Sequence, residues 1–230
     1  MFEEKARNPK GMAPVVGRKA IALMSLAAVL FGAAACGDEA GAEPLSKSQI
    51  SRAVLSQGDV SGYKFFDESR AKTDNSARAD KKACQPIVVF AIAPEISAYD
   101  KRSARQSITK SEKPDASYQL ILTSAESGSA AEDALKELKT AVSACSSGFD
   151  LTYSGQTNKV RRITSDKSSS DGEINILFEY QAGMKIRYVV MRERATLIRI
   201  SAATQYAHEF VAVPKQIIEK QFQKLDKVAS

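Results

Sequence analysis

The sequence predicts a single α+β domain in which a twisted antiparallel sheet of about six strands packs against helices and is braced by one disulfide. Three observations carry this prediction. Helical periodicity with capping signals occurs after residue 45, at 129–144 and after Pro214; period-two alternation fills much of 149–203; and Cys84 and Cys145 frame the region between. At 230 residues, with 43% hydrophobic and 26% charged side chains, the chain is sized for one or two globular domains. That composition excludes global disorder and a polytopic membrane protein.

The first helix opens with Ser46 as N-cap and Gln49 at N3, a capping box, with Leu45 and Ile50 as the hydrophobic staple. Ile50 and Val54 share its apolar face, and it is expected to end near Gln57 or Gly58. A short strand at 63–66 follows, then a polar stretch at 67–82 that reads as a long loop. Residues 84–93, CQPIVVFAIA, fit a helix with Pro86 in its first turn and Cys84, Val88 and Ile92 on one face. Ile87, Val88 and Val89 suit a buried strand equally, and the helix is favoured. Strands are expected at 97–109 and 117–125 around Lys113-Pro114-Asp115. The helix at 129–144 has Ser129 and Glu132 as a second capping box, an apolar stripe of Ala131, Leu135, Leu138 and Val142, and Glu132 four residues before Lys136. Cys145 ends that stripe and so points inward. Beyond Gly148 the pattern predicts strands at 149–153, 158–165, 173–182, 184–193 and 195–203. The last three form a meander through Gly183 and Arg194, with Ile174, Ile176, Phe178 and Tyr180 on one face and Met184, Ile186, Tyr188 and Val190 continuing it. A closing helix begins with Pro214 at N1 and buries Ile218, Phe222 and Leu225.

The N-terminus has a different character. Lys5, Arg7, Lys10, Arg18 and Lys19 precede an uncharged run, Ala20 to Ala35, that ends at Cys36. As a helix the run would be about 24 Å long, short of a ~30 Å hydrocarbon core, so it reads as a secretory h-region. Ala33, Ala34 and Ala35 before Cys36 resemble the lipobox of bacterial lipoprotein signal peptides, in which the cysteine becomes the acylated first residue of the mature chain. Ala33 departs from the leucine usual three residues before the cysteine. The expected division is a signal peptide at 1–35, a tether at 36–45 and the domain at 46–230, with lipid attachment at Cys36 and the chain held on the extracytoplasmic side of the cell membrane. A secreted form cut near Ala35 and a short uncleaved anchor are the alternatives. Met12 heads a more usual n-region than Met1, and the two are the candidate translation starts.

The formal net charge of +6 hints at an anionic partner. Residues 1–35 hold five basic and two acidic groups, however, so the other 195 residues carry 28 basic against 25 acidic groups and only about +3. Nucleic acid is therefore not an expected partner. In an exported chain Cys84 and Cys145 are an even pair expected to form a disulfide; two buried thiols or a metal site are the alternatives, the latter lacking CxxC and clustered histidines.

Catalytic motifs are missing from the sequence. The single histidine, His208 in YAHEF, reads as a surface loop residue, and GxSxG, GxGxxG and GxxxxGK do not occur. No catalytic residue, metal ligand or cofactor is expected. Positive charge gathers at Lys159, Arg161 and Arg162 and again at Lys185, Arg187, Arg192, Arg194 and Arg199. Alternation puts Lys185 and Arg187 opposite Met184 and Ile186, which describes a solvated sheet face or, as a ligand surface, Arg161, Arg162, Lys185 and Arg187 facing an anionic cell-envelope ligand or protein partner.

The order of elements is itself suggestive. A first helix followed by DVSGY, a cysteine opening an apolar run, the strand, helix and second cysteine of YQLILTSAESGSAAEDALKELKTAVSAC, then GFDLTY and a β-meander look like the extracellular sensor domain of actinobacterial PknH-type serine/threonine kinases and the related lipoproteins. The resemblance covers roughly 46–228. It implies a twisted antiparallel sheet with helices, no catalysis and a ligand-binding or sensing role, here without a kinase. Family members typically carry two disulfides and a tryptophan; this chain has one cysteine pair beyond Cys36 and no Trp. A cell-envelope lipid or glycolipid carrier is the alternative function, and a hydrolase built on His208 a distant third.

Overall fold

The computed structural model describes residues 41–68, 76–93, 100–112, 116–166, 172–204 and 209–229. Cys36, His208 and the expected leader lie outside the described residues. Nine described strands form one antiparallel sheet: β1 (Tyr63–Asp67), β2 (Arg78–Ala79), β3 (Ser103–Lys110), β4 (Ser117–Ser124), β5 (Phe149–Tyr153), β6 (Gln156–Asp166), β7 (Glu173–Tyr180), β8 (Lys185–Glu193) and β9 (Thr196–Ala203). Their order across the sheet is β1-β3-β4-β9-β8-β7-β6-β5-β2. The expected α+β single sheet is present, but the count of about six strands is corrected to nine. The short edge strands all join the one sheet, and β2, only two residues long where a loop was expected, pairs with β5 through Arg78↔Thr152 and Ala79↔Leu151. Consecutive in sequence, β1 and β2 lie at opposite edges.

Helices cover opposite faces of opposite halves. On one face α1 (Lys47–Ala53) and α4 (Lys215–Ala229) pack over the β1 side; Ile50, Leu55, Ile108, Leu120, Leu122, Ile198, Ile200, Ile217 and Leu225 belong to that core. On the other face α3 (Gly128–Ala144) and a helical stretch cover the β5 side, around Ile87, Val88, Leu138, Val142, Val160, Ile163, Ile176 and Phe178. The helical stretch opens as a 3-10 turn at Lys82–Cys84, passes through α2 (Gln85–Ile87) and closes as a π-turn at Val88–Ile92, so 84–93 is helical as favoured. Adjacent residues of β8 serve different cores, Val189 the first and Val190 the second. That is what the unbroken apolar run YVVM at 188–191 encodes.

The cysteines join the second core. Cys84 and Cys145 are both buried and disulfide-bonded, with Cα atoms 5.8 Å apart, tying the 3-10 turn to the end of α3. The α3 stripe is buried as expected, and Glu132 meets Lys136 at 2.7 Å. Its N-cap is Ser127 instead of Ser129: the Ser127 Oγ accepts from the Ala130 N–H, so the helix starts two residues earlier.

At α1 the Ser46–Gln49 capping box is formed in both directions. The helix ends at Ala53, well before the expected Gln57, because Val54 turns to extended backbone and the freed groups are held from across the core. Gln221 of α4, fully buried, accepts from the Leu55 N–H at 3.1 Å and donates to the Ala53 carbonyl at 2.9 Å. Replacing it strands two buried backbone groups, each costing about 1–3 kcal/mol. Gln221→Leu is expected to lower stability by about 3 kcal/mol in urea denaturation. A loss below about 1 kcal/mol would show that water reaches these groups.

Candidate functional site

Cross-strand register places an unusual set of side chains on the α3 face beyond the helix's own cover. Phe66, Ser107, Gln119, Ser201 and Tyr188 are successive register partners across β1, β3, β4, β9 and β8. The neighbouring row is Arg105, Ile121, Arg199 and Val190. Directly paired residues share a face, so both arginines look out on the same side as the serines and the glutamine, about 10 Å apart across Ile121. The opposite side of the same strands is the apolar core under α1 and α4. This half of the sheet is thus apolar on one face and polar on the other.

Its polar face is not an ordinary solvated surface. Arg199 is 3% exposed and Arg105 9%, whereas Ser107, Gln119 and Ser201 are half-buried and Phe66, at the edge, is 53% exposed. The Arg199 Nη2 donates to the Gln119 Oε1, and its guanidinium lies 5.7 Å over the Tyr188 ring. Gln119 in turn donates through Nε2 to the Glu68 carboxylate at 2.8 Å. Tyr188 is hydrogen-bonded to Tyr180, whose hydroxyl burial, reinforced by Tyr188, holds well above its ordinary pKa. A connected line, Glu68–Gln119–Arg199–Tyr188–Tyr180, therefore runs across the strands.

Burying a guanidinium costs several kcal/mol before its partners compensate, so its place in a sheet needs a reason beyond packing. Chemically it offers a permanent charge and planar N–H donors that match carboxylate or phosphate oxygens. Half-buried Ser201 and Gln119 stand beside it in the neighbouring register row, which runs on through Ser107 to the exposed Phe66 ring three strands away at the sheet edge. The sequence signal is that Arg199 interrupts the buried strand TLIRISAA, a polar intrusion that a reading by surface charge groups with its neighbours.

The four basic residues expected as a ligand surface sit elsewhere. Arg162 and Lys185 flank Glu179 in one register row on the opposite face, and Arg187 occupies the next row opposite Leu177. Arg162 pairs with Glu179 at 3.0 Å; Arg187 reaches Asp166 at 3.2 Å, Asn175 at 2.8 Å and the Val211 carbonyl at 3.1 Å. The Lys185 ammonium lies 5.4 Å over the Phe210 ring. Arg161 is set apart by a bulge between Val160 and Arg162 and is exposed.

No protein-family model and no curated protein matches the chain. Among solved structures, the extracellular domain of PknH from Mycobacterium tuberculosis superposes with a TM-score of 0.56 at 10% identity, covering 82% of this chain and 98% of that one. This chain has the fold of the PknH extracellular domain. An uncharacterised protein from Mycobacterium smegmatis, an Rv0999 ortholog, aligns with a TM-score of 0.38 at 8% identity over 74% of this chain and 91% of that one. In this PknH-like fold the bridge between Cys84 and Cys145 braces the second core, on the sheet face that also carries the two arginines.

Proposed function

We propose that the chain is an exported, lipid-anchored, non-catalytic binding module whose ligand is an anionic component of the cell envelope held across the polar rows of the sheet. The observation that carries this reading is the buried Arg199, backed by Gln119 and Tyr188, with half-buried Ser201 beside it and Ser107 two strands further along the neighbouring row. Anchoring rests on the leader and Cys36, and an extracytoplasmic place is supported by the fold shared with an extracellular domain. In this reading Arg199 supplies charge and forked donors, Gln119 fixes the guanidinium, and Phe66 offers a platform at the open edge.

Native mass spectrometry of protein extracted from its own membrane tests both parts. The expected spectrum shows acyl groups on Cys36 and a bound anionic mass that Arg199→Met, folded by circular dichroism, no longer carries. An equal bound mass on the variant would overturn the assignment of the ligand surface.

A further inference from the structure

The closing helix carries its charge asymmetrically. Lys220, Lys224 and Lys227 follow one flank at spacings of four and three, while Glu219 and Asp226 lie on the other, with the apolar stripe between them against the core. Lys220 and Lys227 are exposed, and among the described residues neither meets a carboxylate within ion-pair distance. Lys224 is half-buried and neutralises Asp59 at 2.5 Å. The three lysines, with Leu55, Asp59 and Gln223, line an open cavity of about 290 Å³.

Chain length bounds how far the end of this helix can lie from Cys36. Residues 41–45, expected to be part of a loose tether, are fastened to the domain: the Gly128 N–H donates to the Ala42 carbonyl at 3.1 Å, and the Leu45 N–H donates to the Ser124 hydroxyl at 2.8 Å. Gly41 and Leu45 share a cavity of about 450 Å³ with Leu225 and Ala229 at the end of α4. Four residues, 37–40, then separate Cys36 from Gly41, five Cα steps that reach at most about 18 Å when fully extended. Ala229 is two residues beyond Lys227, a rise of about 3 Å along the helix. A lipid on Cys36 therefore keeps the C-terminal end of α4 within tether reach of the headgroups.

We propose that Lys220 and Lys227 dock on anionic phospholipid headgroups of the bilayer in which Cys36 is anchored, fixing the orientation of the domain above the membrane; this rests on the lipid-anchor reading. Two exposed lysines near an anionic surface add attraction that the acyl chains do not provide, and added salt screens it. The contact leaves the polar rows, on the opposite sheet face, turned away from the bilayer.

The acylated full chain, reconstituted in vesicles of phosphatidylcholine alone or mixed with phosphatidylglycerol, is labelled with an amine-acetylating reagent and read by peptide mass spectrometry. Labelling of Lys220 and Lys227 is expected to slow by roughly fivefold on the anionic vesicles and to recover at high salt. Lys136, exposed on α3, is the internal control and should label equally on both. Equal labelling of Lys220 and Lys227 on both vesicle types, with acyl groups present on Cys36 in the same spectra, would overturn the docking alone. An unmodified Cys36 would overturn the anchor and the docking with it.

Discussion

Gly148→Ala is expected to lower stability by at least about 3 kcal/mol, a large effect for one methyl group. Gly148 sits at φ +85°, where an L side chain already costs about 1–2 kcal/mol. Its added Cβ would lie 2.0 Å from the Val160 carbonyl oxygen and 2.8 Å from the Arg161 carbonyl carbon and oxygen. Those are backbone atoms at the β6 bulge and cannot rotate away. Relief would require β6 to move off the turn that follows α3, where the Gly148 N–H donates to Cys145 at 2.8 Å and its carbonyl accepts from Lys81 at 2.7 Å. Thermal unfolding should show a midpoint lower by roughly 10 °C for a domain of this size. A drop of under about 3 °C would mean that the bulge relaxes freely.

Removing the disulfide is the second large effect. The bridge closes a loop with a sequence separation of 61, and its loss restores about 4 kcal/mol of chain entropy to the unfolded state. The Cys84→Ala/Cys145→Ala variant should be less stable by about that free energy, with its denaturant midpoint lowered in proportion. Reductant should shift the parent protein to the same midpoint and leave the variant where it is. A parent protein indifferent to reductant, with thiols that alkylate under native conditions, would sink the bridge. The same variant leaves the residues under α1 and α4 untouched, so the damage begins around Ile87, Leu138 and Val142.

Much of the architecture is legible in residue patterns whose physical cause is local. Ser46 and Gln49 announce α1 because their reciprocal hydrogen bonds involve only neighbours, and the α3 stripe is visible because one helix face meets one core. What depends on distant partners is not visible. The end of α1 is decided by Gln221, 166 residues beyond Leu55, and a glutamine between Lys220 and Phe222 reads as surface. The strand β2 is too short for alternation to register, and its pairing with β5 supplies what its sequence does not. At the candidate site, Arg199 is conspicuous in sequence as a charge, but its burial and its link to Gln119 follow from the register of β4 against β9. The basic side chains of β6 and β8 are legible as a cluster, while the carboxylates of Glu179 and Asp166 that meet two of them come from strand pairing.

The division of β8 between two cores has a mechanical consequence. A strand with Val189 in one hydrophobic cluster and Val190 in the other is a wall common to two rooms. Neither room can be emptied without removing a wall of its neighbour, so a packing defect under α4 is felt beneath α3 although no helix spans the distance. Any strain at the polar rows, which reach Tyr188 and Val190 of β8, therefore falls on a partition and is shared with the core beneath α4.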